Sequence, residues 1–111
     1  YRYDSGGPAA TELLKHDITA IFAQNDLMAV SAYAAIEAAG KKVGTDVSIV
    51  GFDNTEYCEW LAPKLTSIIQ PGPEMGIQAG KMIISLIRGE DIEMEKHFEP
   101  DIFQRNSVSQ I

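Results

Sequence analysis

Three short apolar runs punctuate the chain, and each stops abruptly at polar residues. They are Thr19-Ala-Ile-Phe-Ala-Gln-Asn25-Asp26, Val47-Ser-Ile-Val-Gly-Phe-Asp53-Asn54 and Leu65-Thr-Ser-Ile-Ile-Gln70-Pro71. A helix-like segment follows each one. Runs of β-branched residues alternating with helices predict an α/β fold whose parallel sheet is buried on both faces between helical layers. The spacing predicts strands over residues 18–23, 47–51 and 65–69, and a weaker strand over 97–104, interrupted by Pro100. Helices are expected over residues 6–15, 26–39, 56–61 and 73–87. The first should open at Gly6-Gly7-Pro8, with Pro8 in the first turn, where its missing N–H costs nothing. Asp26 is the expected N-cap of the second helix, and Gly40 its left-handed C-terminal residue, with Lys41 and Lys42 just beyond, where the dipole favours positive charge. Met28, Ala32, Ala35, Ile36 and Ala39 recur at helical spacing and define one buried face. Met75, Ala79, Met82, Ile83 and Leu86 do the same for the last helix, which Gly89 ends.

In sheets of this kind ligands bind beyond the carboxyl ends of the strands. The residues that stop the runs, Asn25, Asp26, Asp53 and Gln70, are thereby delivered to one edge. A carboxylate at Asp53 can accept hydrogen bonds from vicinal hydroxyls or from a cationic ligand group; the alternative is a cap or brace for the following short helix. Asn25 can donate and accept at once, which suits sugar hydroxyls, or it can serve as a turn residue tolerant of unusual backbone angles. Gln70 can reach a ligand hydroxyl or satisfy its own loop.

Catalytic chemistry finds little support. Asp26 and Asp53 form an imaginable metal pair or acid/base couple, but Asp26 opens a helix, where capping explains it. Gly72-Pro-Glu-Met-Gly76 lacks the spacing and the lysine of a phosphate loop. Cys58, the only cysteine, has no histidine nearby in sequence to activate it. No enzyme activity, cofactor or metal is expected.

Composition narrows the partners. A chain of 111 residues suits one domain or one lobe of a larger protein. Its apolar fraction of 45% and charged fraction of 23% describe a globular segment. A net charge of −7, with scattered Lys and Arg, argues against this segment gripping phosphate backbones. The lone cysteine permits no internal disulfide, and no apolar stretch approaches the ~20 residues of a membrane span. The opening Tyr1-Arg2-Tyr3-Asp4 has neither Met nor a signal peptide, which is expected of a fragment.

Four motifs in series carry a family resemblance. Phe22-Ala-Gln-Asn-Asp-Leu-Met-Ala29, Val47-Ser-Ile-Val-Gly-Phe-Asp-Asn54, Pro63-Lys-Leu-Thr-Ser-Ile-Ile-Gln-Pro71 and Met75-Gly76 followed by Ala79 resemble the ligand-binding domain of lactose-repressor (LacI/GalR) family transcription regulators. The closing Arg105-Asn-Ser107 is similar to an Arg-x-Ser found near the end of those domains. The resemblance implies the C-terminal portion, residues 1–111, of a bilobed periplasmic-binding-protein-like domain that closes on a small effector. The DNA-binding headpiece and most of the first lobe would lie outside this chain. It further implies a cytoplasmic regulator that contacts operator DNA through that N-terminal headpiece and not a membrane. By the same resemblance Asn25, Asp53 and Gln70 match positions that hydrogen-bond ligand hydroxyls, and Tyr1 falls near an aromatic position that stacks on the ligand. Purine-responsive members lack the amide of Asn25, so its presence favours a sugar. The alternative is a periplasmic sugar-binding protein of a transporter, which shares the fold and the Phe-Ala-Gln-Asn-Asp run but not the regulator-like segment at 63–71.

The helix over residues 26–39 also carries apolar or small residues around much of its circumference. A helix covering one side of a sheet needs a single apolar stripe, so the surplus at Val30, Tyr33 and Ala34 suggests a second partner. Trp60 and Leu61 sit in a short segment, where an exposed apolar cluster would mark an interaction surface. In the resembling family these segments lie at the dimer interface. A symmetric homodimer through Val30, Tyr33, Ala34, Trp60 and Leu61 is therefore expected.

Overall fold

A computed structural model describes residues 2–109. Its elements are α1 (Tyr3–Leu13), β1 (Ala20–Phe22), α2 (Asp26–Ala38), β2 (Ser48–Phe52), α3 (Tyr57–Trp60), β3 (Thr66–Ile69), α4 (Gly72–Ile87) and β4 (Asp101–Phe103). The chain divides into two compact units, one of residues 70–101 and one comprising the rest. The fold is mixed α/β, with a four-stranded sheet in the order β1-β2-β3-β4. β1 pairs with β2 in parallel, Phe22 opposite Val50, and β2 pairs with β3 in parallel, Phe52 opposite Ile68.

The core of the larger unit follows from the sequence pattern. Ile21, Val47, Ile49 and Leu65 of the sheet region pack with Ala29, Ala32, Tyr33 and Ile36 of α2 and Ala10 of α1. Along β2 the burial alternates: Ile49 and Gly51 are buried, while Ser48, Val50 and Phe52 are half-covered. Both long helices end as their glycines require. Gly40 adopts φ +72, its N–H donating to the Glu37 carbonyl while that of Lys41 reaches back to Ile36. Gly89, at φ +70, closes α4 with the equivalent bonds to Leu86 and, through Glu90, to Ser85. A left-handed residue at this position satisfies carbonyls that the last turn leaves open.

Four expectations are corrected. Helix α1 starts at Tyr3, so Pro8 lies inside it and forfeits an internal hydrogen bond. Gly6 marks a close helix crossing there, since a Cβ on it would overlap the Met28 carbonyl and the Ser31 hydroxyl of α2. The N-cap of α2 is Asn25, whose Oδ1 accepts from the Met28 N–H at 2.9 Å. Asp26, one residue later, is engaged elsewhere. Ala39 is exposed, because the helix has already turned into its cap. Finally, no residue of α4 is buried, and Met75, Ile83 and Leu86 stand exposed. An amphipathic stripe announces a covering surface without saying which segment supplies it.

Candidate functional site

Because β1 and β2 are parallel and in register, the chain leaves both at the same edge, and Asn25 and Asp53 emerge there. Asn25 has extended backbone angles and spends its carbonyl oxygen on the cap, while its amide nitrogen makes no hydrogen bond among the described residues. Capping and ligand binding are thus compatible at this position: one end of the amide holds the helix and the other can donate to a ligand.

Asp53 follows β2 directly and is exposed. Its φ is 101°, and that of Asn54 is 50°. Non-glycine residues rarely hold such angles unless the surroundings impose them, and such strain clusters at ligand sites. Here the surroundings are specific. The Asp53 N–H donates to the Ile68 carbonyl at 2.9 Å. The Asn54 N–H donates to Ser67 Oγ at 3.1 Å. The Thr55 N–H donates to Asp26 Oδ2 at 2.6 Å. Asp53 is not the cap of α3, which Glu56 precedes.

Asp26 is the hub beneath this turn. It is 1% exposed, and its carboxylate accepts from the Thr55 N–H, the Thr55 hydroxyl at 2.9 Å and the Ser67 hydroxyl at 2.6 Å. The absence of a side chain at Gly51 makes room for Asp26 Oδ1. With both oxygens committed, Asp26 is a structural anchor and not half of a metal pair. Among the described residues no group of three or more His, Cys, Asp or Glu converges as a metal site. Cys58 is buried nearby; desolvation first, and then Asp26, push its thiol up to about 11, so it stays protonated and a poor nucleophile.

Two residues of the terminal Arg-x-Ser complete the arrangement, and their roles were not read from sequence. Ser107 is buried; its hydroxyl donates to the Ile49 carbonyl at 2.6 Å and accepts from the Thr66 N–H at 2.8 Å, stitching the tail to β2 and β3. Arg105 donates to Asn54 Oδ1, to the Leu65 carbonyl and to Glu59. Hydrogen bonds from Lys64 and then Arg105 hold the Glu59 carboxyl below its ordinary value of 4.5. The motif itself was the available signal.

The remaining candidates are placed as follows. Gln70 is exposed and opens the smaller unit, its carbonyl accepting from the Gly72 N–H at 2.8 Å. Tyr1 lies outside the described residues. Of the interface candidates, Trp60 is 67% exposed and edge-on to Tyr57, Ala34 is exposed, and Val30 and Leu61 are half-buried. Tyr33 instead belongs to the core of its own unit. It is 4% exposed, donates its hydroxyl to the Pro63 carbonyl at 3.0 Å, and is pushed up to about 12 chiefly by burial. The surplus apolar character at that position is consumed internally.

The sequence profile described as the periplasmic binding protein-like domain matches residues 2–108. The transcriptional regulator CelR of Thermobifida fusca is 38% identical over 95 residues, covering 84% of this chain and 28% of the regulator. The chain belongs to the LacI-type branch of this family. A transcriptional repressor of Aliivibrio fischeri named PurR is 36% identical over 92 residues, covering 82% of this chain and 27% of the repressor. The crystal structure of a LacI family transcriptional regulator from Enterococcus faecium, with bound ribose, superposes with a TM-score of 0.86. It is 35% identical, and the match covers 100% of this chain and 42% of that one. The chain spans less than a third of those two curated relatives, which are transcriptional regulators and not enzymes. Asn25 and Asp53 lie at the carboxyl edge of the parallel strands, and the Enterococcus faecium relative holds ribose. No helix among the described residues is long and apolar enough to cross a membrane.

Proposed function

We propose that this lobe is part of the ligand-sensing domain of a LacI-family transcription regulator, which binds a sugar between its two lobes and thereby alters operator binding. Asp53 accepts hydrogen bonds from sugar hydroxyls and the Asn25 amide donates one. Gln70, on the sequence pattern, and Tyr1, on the family resemblance, remain candidates. The observation that carries the reading is a strained, exposed carboxylate at a strand end, held by a dedicated network beside a half-used amide. The ribose bound to the Enterococcus faecium relative supports a sugar. A purine base is the second reading, because the resembling family also contains purine-responsive members. DNA contact belongs to an N-terminal headpiece outside this chain, and such a regulator works in the cytoplasm.

A thermal-shift screen of the full-length protein against monosaccharides, disaccharides and purine bases separates the two readings, because ligand that binds only the folded protein raises its stability. With a sugar so identified, Asp53→Ala is expected to weaken binding by about 1.5–3 kcal/mol, typical of hydrogen bonds to a charged group. Calorimetry giving native affinity for that variant would remove Asp53 from the site.

The same proposal includes a symmetric homodimer through Val30, Ala34, Trp60 and Leu61, with Tyr33 supporting the surface from behind. Exposure of Trp60 beside half-buried Leu61 supports an unfilled interaction patch. Sedimentation is expected to show a native dimer and a folded, monomeric Val30→Glu, Trp60→Glu double variant. A folded variant that still dimerises moves the interface elsewhere.

A further inference from the structure

The turn that presents Asp53 is held from below by the sheet and from the side by one residue of the distant tail. Three backbone N–H groups, those of Asp53, Asn54 and Thr55, are anchored by Ile68, Ser67 and Asp26. The side chain of Asn54 is anchored by Arg105 alone among the described residues, through Nη1 to Oδ1 at 2.8 Å. Arg105 is itself rigidly seated. Its side chain is 8% exposed, its guanidinium lies 4.2 Å from the centroid of the Phe103 ring, and Nη1 also reaches the Leu65 carbonyl at 2.9 Å. Its Nε pairs with Glu59 at 2.6 Å, and its backbone N–H donates to Thr66 Oγ1 at 2.9 Å.

We infer that Arg105 is a positioning residue for effector binding: its guanidinium holds the Asp53–Asn54 turn in the conformation that presents the Asp53 carboxylate. The inference rests on the reading of Asp53 as the ligand acceptor. Angles of this kind persist only where surrounding contacts over-determine them. Asn tolerates the left-handed region because its short amide can bond locally; here that amide oxygen is held by Arg105 instead. Lysine cannot substitute, since a single ammonium lacks the planar fork that spans Asn54, Leu65 and Glu59 together. Arg105 thereby ties the tail to a turn 51 positions earlier in the chain.

The test compares Arg105→Lys, Glu59→Gln and Asp53→Ala in the full-length protein. Two quantities are read: amide hydrogen exchange of a peptide spanning residues 51–56, and calorimetric affinity for D-ribose. Arg105→Lys is expected to exchange about tenfold faster across that peptide and to bind D-ribose about tenfold more weakly. Glu59→Gln removes the charge that pairs with Lys64 and Arg105 but keeps an oxygen to accept from Arg105 Nε, so it should match native in both readouts, which a general weakening of the tail would not allow. Native exchange in Arg105→Lys overturns the inference. So does native D-ribose affinity in Arg105→Lys when Asp53→Ala has lost it. If Asp53→Ala binds D-ribose as native does while Arg105→Lys loosens the peptide, the ligand role of Asp53 fails and the effect of Arg105 on binding falls with it.

Discussion

Replacing Asp26 by alanine is expected to destabilise the lobe by about 3–5 kcal/mol, because it removes the charged acceptor of three hydrogen bonds at a buried position. The carboxylate is almost fully buried and accepts three hydrogen bonds, two from Thr55 and one from Ser67. Alanine leaves those donors without acceptors in a space that water reaches poorly, and each unsatisfied donor costs about 1–3 kcal/mol. The effect should also spread to the site, because the Thr55 N–H is one of the anchors of the Asp53 turn. Asp26→Asn should fall between, since one carboxylate oxygen becomes a donor facing other donors. Urea unfolding of the variants gives the measurement. A loss below about 1 kcal/mol for Asp26→Ala, the net worth of one ordinary hydrogen bond, would mean the network does not hold this loop.

That network also shows where sequence reading ran out. The three apolar runs located β1, β2 and β3, because β-branched residues in short blocks have few other uses. Gly40 and Gly89 marked helix ends, because a left-handed residue is a local requirement that a local signal can reveal. Asp26 was misread because its partners, Thr55 and Ser67, lie 29 and 41 positions away. The rule that favours aspartate at a helix start could not distinguish Asn25 from its neighbour. Tyr33 was misread for a related reason: apolar character on a helix says that a surface is covered, not by which segment. Here the Pro63 carbonyl and the core supply the cover.

The site was legible at the level of which residues reach the edge, and not at the level of how they are held. Strand ends in a parallel sheet deliver their next residues together by topology alone, so Asn25 and Asp53 could be named from the runs they terminate. Nothing in a linear pattern indicates that Asp53 takes a positive φ, or that Arg105 returns to Asn54. Those facts depend on contacts between segments far apart in the chain.

The crossing of α1 and α2 gives a second large effect, and a paired control. Gly6→Ala is expected to destabilise the lobe by about 3 kcal/mol, at the upper end for overpacking. The added Cβ would overlap the Met28 carbonyl, which is helix backbone and cannot swing aside, as well as the Ser31 hydroxyl. Relief therefore requires the two helices to separate and Ala10, buried at the same crossing, to lose its packing. Gly7→Ala, one residue on, meets Ser31 at ordinary contact distance, 3.4 Å from its carbonyl oxygen and 3.9 Å from its Cβ, and has more room. There the gain in helix propensity, about 0.8–1 kcal/mol for alanine over glycine, should leave the variant as stable as the native protein or more so. Opposite signs at adjacent glycines separate steric contact from any general role of flexibility in α1. Thermal unfolding of the two variants decides the matter: equal destabilisation would mean that α1 needs glycine for its backbone, and that the crossing distance is not what selects it.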